Sequence, residues 1–323
     1  MSLPSQLEGR LKLPAIAAPM FLVSGPELVI ESCKAGVLGT FPALNARPAE
    51  KFRDWLVEIE QALAPLPDAA PYGVNLILHR TNQRLEQDLA LVVEHKVPVV
   101  ISSVGHPGPV VEAVHSYGGI VLADVIHLHH AKKAIAAGVD GLIVVAAGAG
   151  GHAGTTSPFA LVRQVREFYD GTLVLAGAIS DGASIAASIV MGADLAYLGT
   201  RFISTKESLG GLGYSQMIVD SEAKDIIYTA AISGIYGNFM RASLERAGLD
   251  PDDLPPKPEI NMDKETDPDQ EAKAWKDIWS AGQGVGNIHD VPATADLVAQ
   301  LRHEYDDAMA VAARAGGYAD AAE

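Results

Sequence analysis

The chain predicts an α/β protein, a (β/α)8 TIM barrel carrying a smaller, mainly helical cap region. Between residues 15 and 200, eight short runs of Val, Ile, Leu and Ala alternate with amphipathic segments of helical period. Each run is apolar throughout, as parallel strands covered on both faces are. After about residue 205 the alternation stops and glycine-joined segments take over. Eight βα units within roughly 200 residues fit a closed barrel better than a doubly wound sheet.

The strand candidates, in order, are Ala15–Pro19, Val37–Phe41, Tyr72–Leu78, Val97–Val104, Ile120–Asp124, Gly141–Ala146, Thr172–Gly177 and Leu195–Gly199. Helix ends are marked between them. Ser24 and Pro26 supply a cap and a pre-set φ for a helix over Glu27–Lys34, and Gly36 sits where it stops. Asp181 opens Gly182–Met191 and Gly192 closes it. Lys206–Arg246 reads as helices joined by glycines. Gly248–Asp269 is a proline- and acid-rich connector unable to build a core, and its 250–270 stretch is a candidate lid. A small-residue loop, Ser280–Gly286, follows the aromatic segment around Trp275 and Trp279, and a helix is expected over Thr294–Ala313. The division predicted is residues 1–204 for the barrel, 205–275 for the cap with its connector, and 276–323 for a loop and helix returning to the barrel.

At 323 residues and 48% apolar content the chain can fill a substantial core. Its 40 acidic and 24 basic residues give a formal charge of −16, which argues against a nucleic-acid or anionic membrane partner. No apolar stretch approaches the ~20 residues needed to span a bilayer. The single Cys33 cannot form an internal disulfide, and a cytoplasmic protein is expected. A small molecule is the partner expected, and a homodimer is left open.

Barrel enzymes work from the loops at the carboxyl ends of their strands. Those ends carry Ala18-Pro19-Met20, Asn75, Ser102-Ser103 with His106, Asp124, the loop Gly148-Ala149-Gly150-Gly151-His152, Gly177 and Gly199-Thr200. Glycines let the backbone approach a ligand closely, and His152 then presents the side chain whose ordinary pKa lies nearest neutrality. Gly177-Ala178-Ile179-Ser180-Asp181-Gly182 and Gly199-Thr200-Arg201-Phe202 follow strands seven and eight, where barrels often hold a phosphate. His127 and His130 share a helix face, but no Cys or Glu completes a metal set, so they read as a solvated helix and no metal is expected. The glycine spacing around 148–154 is not a dinucleotide fingerprint. Met20 and Trp279 read as core packing or as neighbours of a ligand.

Gly73-Val74-Asn75-Leu76, Ala149–His152, Ala176–Ile179 with Asp181-Gly182, Met191–Asp194, Gly199–Phe202 and Ser280–Gly284 together resemble the nitronate monooxygenase family over about residues 15–290. The resemblance implies an FMN-binding barrel that oxidises alkyl nitronates or nitroalkanes with O2 to a carbonyl compound and nitrite through a flavin semiquinone. It places the FMN phosphate on the amides around Gly177, Ala178, Gly199 and Thr200, with Met20 and Asn75 flanking the ring and Gln283 closing from the cap. Ala18, Pro19, Asp124, Ala149, Gly150 and Gly151 complete the cofactor-binding set. His152 is the implied catalytic base. By their place at the active end of the barrel, His106 and Ser103 are candidate substrate contacts, His106 reading equally as an exposed turn residue. The chain has Gly148 where the family commonly has an acidic residue, Ala178 where it has a second glycine, and Ala17 or Ala18 where it often has glutamine. The same group contains reductases in which NADH or NADPH reduces FMN and a quinone or an enoyl- or acyl-CoA compound is the acceptor. A non-catalytic barrel holding a phosphorylated metabolite is the third reading.

Overall fold

The computed structural model describes residues 3–257 and 278–316. The acid-rich stretch read as a lid lies outside the described residues from 258 onward, as do Trp275, Lys276 and Asp277. The strands are β1 (Ala15–Ala17), β2 (Leu38–Pro42), β3 (Tyr72–Ile77), β4 (Val99–Ser103), β5 (Ile120–Val125), β6 (Gly141–Val145), the two-residue β7 (Gly151–His152), β8 (Thr172–Ala176) and β9 (Leu195–Leu198). All but β7 form one closed parallel barrel, shut by the pairing of Ile16 with Tyr197 and of Ala17 with Leu198. The predicted barrel is therefore present, with every expected strand in its place and ends that differ by a few residues.

Period-two alternation divides the barrel's side chains. Ile16, Leu38, Val99, Ile101, Ile120, Leu122, Ile143, Val174 and Leu195 pack together inside, and Leu7 from the N-terminal segment joins them. The outward residues form the larger core against α1 (Pro26–Ala35), α2 (Glu50–Leu63), α3 (Leu85–Glu94), α4 (Gly108–His115), α5 (Leu128–Ala136), α6 (Pro158–Arg166) and α7 (Gly182–Met191). Gly36 ends α1 at φ 102°, and Asp181 and Ser184 form a reciprocal capping box on α7, both as the sequence predicts. Ser24 does not cap α1. The cap position is Gly25, and the Ser24 hydroxyl instead accepts the Met20 N–H at 3.0 Å, which folds the loop after β1 back on itself.

After α8 (Thr200–Ile203) and α9 (Gly211–Val219) the cap departs from expectation. Lys206–Arg246 is not wholly helical, since β10 (Ile226–Thr229) and β11 (Gly237–Met240) form an antiparallel hairpin ahead of α10 (Arg241–Arg246). β11 pairs in turn with β7, joining the cap to the loop that carries His152. Glycine-rich sequence concealed the hairpin because Gly234 and Gly237 serve its turn and its close pairing rather than helix ends.

The last described helix, α11 (Thr294–Gly316), returns to the barrel and packs on α7 and α1. Glu304 accepts the Gly182 N–H at 2.7 Å, and a Cβ on Gly182 would stand 2.3 Å from backbone atoms of Leu301 and Tyr305. No described helix is long and apolar enough to cross a membrane. Since the backbone of Leu301 and Tyr305 borders Gly182 this closely and cannot turn aside, Gly182→Ala must push α7 and α11 apart. A loss of about 1–3 kcal/mol, read as a lower urea midpoint, is expected, and a midpoint equal to wild type would contradict this packing.

Candidate active site

The inner face of the barrel changes character toward the carboxyl ends of the strands. Above the apolar layers stand Asn75 from β3, Ser103 from β4, Asp124 from β5 and Tyr197 from β9. Asn75 Nδ2 donates to the Ile101 carbonyl at 3.1 Å and to Ser103 Oγ at 2.7 Å, and Ser103 in turn donates to Asp124 Oδ2. Burial raises the Asp124 pKa to about 6, with the Ser103 hydrogen bond acting against the rise. Burial first, and the Asp124 charge second, drive the Tyr197 phenol up as well.

Three loops meet at the edge of this mouth. The Gly282 N–H donates to Thr200 Oγ1 at 2.9 Å, and the Gln283 N–H donates to the Gly148 carbonyl at 2.9 Å. Ser180 donates to the Gly284 carbonyl at 2.9 Å. Gly148 adopts φ 82°, and a Cβ there would lie 2.9 Å from Gln283 Oε1, so an acidic side chain at 148 would need both a strained backbone and a displaced glutamine. Gly177 at φ 141° and Ala178 at φ 55° turn the chain after β8. For alanine the left-handed conformation costs roughly 1–2 kcal/mol, which is the physical reason a glycine suits this position. Met20 and Ala18 face Gly199 across the β1–β9 junction, at 3.7 and 3.8 Å from where its Cβ would be.

His152 is held by the cap. Gly151 and His152 pair with Asn238 and Gly237, and Asn238 Nδ2 donates to the Ala149 carbonyl at 2.6 Å. A Cβ on Gly237 would stand 2.8 Å from the Gly151 carbonyl oxygen, so only glycine allows this approach. Ser233 donates its proton to the Ile235 carbonyl at 3.1 Å and so accepts from His152 Nε2 at 3.2 Å. Burial lowers the His152 pKa to about 4, which keeps the imidazole neutral at physiological pH.

The structure thus brings Ala18, Met20, Gly199 and Thr200 together. It also gathers Gly148, Ala149, Gly150, Gly151 and Gln283 with Ala178, and it links Asn75, Ser103 and Asp124. It does not bring in His106, which is exposed on the loop after β4 with its ring folded toward Gly108. Ser103, expected as a substrate contact, is buried and directs its proton to Asp124. Trp279 stacks on Tyr214 at 4.6 Å under the Arg246 guanidinium, a packing role. Among the described residues no group of three or more metal-ligating side chains occurs. Sequence reasoning missed Tyr197, Ser233 and Asn238. Tyr197 was detectable, because Leu195 faces inward and the residue two positions on must share that face.

The family model described as nitronate monooxygenase matches residues 79–304. A nitronate monooxygenase of Paraburkholderia phytofirmans is 31% identical over 90% of this chain and 92% of its own. A (3aS,4S,5R,7aS)-5-hydroxy-7a-methyl-1-oxo-octahydro-1H-indene-4-carboxyl-CoA dehydrogenase of Rhodococcus jostii is 28% identical over 60% of this chain and 53% of its own. Among solved structures, the nitroalkane oxidase of Streptomyces ansochromogenes superposes with a TM-score of 0.78 at 24% identity, covering 95% of this chain and all of its own, a likeness of fold.

The buried imidazole has a measurable signature. An unfolded histidine takes its proton near pH 6.5, whereas folded His152 resists protonation until about pH 4. Stability is therefore lost as pH falls through that window, by at most about 1.4 kcal/mol per pH unit. Asp124 acts in the opposite sense, its stability contribution disappearing as pH rises from 3.8 through about 6. Urea denaturation of wild type and His152→Gln at matched pH separates the two, and the histidine assignment requires the variant to lack the acid-side loss.

Proposed function

As the chain belongs to the nitronate monooxygenase family, a family of oxidoreductases, we propose that it is an FMN-dependent nitronate monooxygenase. It would oxidise alkyl nitronates, and the nitroalkanes that yield them, with O2 to a carbonyl compound and nitrite. The observation that carries this reading is His152, a neutral imidazole fixed at the barrel mouth by the cap strand β11. The residues present fit the flavin. Among the described residues two buried polar atoms, Asp124 Oδ1 and the Tyr197 hydroxyl, have no hydrogen-bond partner, and Gly151 has open space where a Cβ would be. Gly177, Ala178, Gly199 and Thr200 would hold the phosphate, Ala18, Pro19, Met20 and Asn75 the ring, and Ala149, Gly150 and Gln283 its edge. The flavin, when bound, supplies electron transfer to oxygen, which no side chain of the chain can perform.

His152 removes the proton from the carbon beside a nitro group, while Ser233 holds the ring through Nε2. A base with a pKa near 4 is weak but is never lost to protonation near neutrality. This suits an enzyme whose better substrate is the nitronate anion, which needs no proton removed. The reading requires a small-molecule substrate and no nucleic-acid or membrane partner.

A second reading, in which NADH or NADPH reduces the FMN and a quinone or an unsaturated CoA thioester is the acceptor, is favoured by the relative named as a carboxyl-CoA dehydrogenase.

Replacement of His152 by alanine should lower kcat/KM for a neutral nitroalkane by ~10²–10⁴ and spare the preformed nitronate. Equal losses on both substrates would remove His152 from the base role. The wild-type nitroalkane profile should fall only on the acid side, with a midpoint near 4. Anaerobic visible spectra should show the flavin reduced by propyl nitronate alone. Reduction by NADH or NADPH alone would instead establish the reductase.

A further inference from the structure

We propose that Asn45 is a positioning residue, which holds the loop after β1 in the shape that sets Met20 and the Gln283 turn at the barrel mouth. The proposal rests on the FMN reading above, in which Met20 and Gln283 border the ring, and it adds a residue that acts on that site through the loop.

The use of the side-chain amide gives the first argument. Asn45 closes a short turn of 3-10 helix after β2 (Ala43–Asn45). Its Oδ1 accepts the Leu22 N–H at 2.9 Å, while Nδ2 donates to the Met20 carbonyl at 2.9 Å and to the Ser24 carbonyl at 2.8 Å. The acceptor and both amide hydrogens are thus engaged by alternate residues of one loop. Turned over, the amide would set its oxygen against two carbonyls and its N–H groups against the Leu22 N–H, so its orientation is fixed.

The backbone gives the second. Leu22 stands at φ 61°, in the left-handed region that residues with a side chain rarely adopt. Such a conformation persists only where the surroundings over-determine it. Asn45 pins the amide of that same residue. Released from Asn45, a leucine returns to ordinary backbone conformations, and the Met20–Ser24 loop changes shape.

What rests on the loop gives the third. Met20 packs against both the outer barrel core and the cap core, and Val23 belongs to the cap core together with Ala281 and Val285, which flank Gly282, Gln283 and Gly284. The Leu209 N–H donates to the Val23 carbonyl at 2.9 Å. The Met20 sulfur lies 3.7 Å from where a Cβ on Gly199 would be. A change of loop shape therefore moves the thioether away from the β1–β9 junction and removes apolar surface on which the Gln283 turn is seated. If the loop is competent in about one molecule in ten, the apparent Kd for FMN rises about tenfold.

The test uses the full chain, freed of flavin and titrated with FMN by fluorescence quenching. Asn45→Ala and Asn45→Asp should each raise the Kd about tenfold or more. Aspartate keeps the size and Oδ1 of asparagine but sets a second oxygen against the Met20 and Ser24 carbonyls, so a hydrogen-bonding role requires it to fail as alanine does. Hydrogen exchange in the peptide spanning residues 18–25 should quicken in both variants, with exchange in β4 and β5 unchanged. A merely structural residue would lower the urea midpoint and leave the FMN affinity of the folded protein as it was. Should both variants fail to fold, Ser24→Ala, which removes the acceptor of the Met20 N–H, should weaken FMN binding in the same direction, and an unchanged affinity there overturns the role of the loop. Wild-type affinity in folded Asn45→Ala overturns the role of Asn45, as does an Asn45→Asp protein that matches wild type, and either result leaves the flavin reading intact. A wild-type protein that takes up no FMN overturns the flavin reading, and with it the ligand this loop serves.

Discussion

The close approach of backbone to backbone between the loop after β6 and residues 280–284 is what the rest of the site depends on. A Cβ on Gly282 would stand 2.5 Å from the Gly148 carbonyl oxygen, and one on Gly150 2.9 Å from the Gly282 nitrogen. Two glycines facing each other permit hydrogen bonds that side chains would prevent, and Thr200 and Ser180 extend the contact to the loops after β9 and β8. The cap is thus fastened at the place where the ligand-facing loops converge. Its other attachment, β11 on β7, holds the imidazole.

Burial acts on the two titratable groups of the mouth in opposite directions and produces the same result. It lowers the histidine to about 4 and raises Asp124 to about 6, because in each case water withdrawn from the site favours the uncharged form. Near neutrality the histidine is uncharged, whereas a carboxyl with a pKa of about 6 has largely given up its proton. The strong negative charge of the chain as a whole is carried elsewhere, on exposed helices such as α2 and α11.

Most of the barrel was legible in the sequence because parallel strands buried on both faces leave uninterrupted apolar runs, and helix ends are marked locally, by the Asp181 carboxylate at a start and by the left-handed backbone of Gly36 and Gly192 at stops. Positions after each strand were legible for the same reason. The hairpin β10–β11 was not, since Gly234, Gly237 and the polar Asn238 break the alternation a strand needs, and the strand exists through its pairing with a distant segment. Tyr197 was overlooked because it lies within an apolar run and reads as filler. Its spacing of two residues from the inward Leu195 is what puts it on the inner face. His106 was open between a substrate contact and an exposed turn residue, since a histidine after a barrel strand carries no signal for the way its loop folds, and the structure leaves it exposed.

The pairing of β7 with β11 also sets an order of assembly. Every barrel strand lies before residue 199, so the barrel can close while the cap is still being synthesised. The imidazole acquires its partner strand only when residues 237–238 have emerged, and the loop that presents it is clasped only after Gly282 and Gln283. The strands of the scaffold thus precede in the chain every residue that clasps the loop bearing His152.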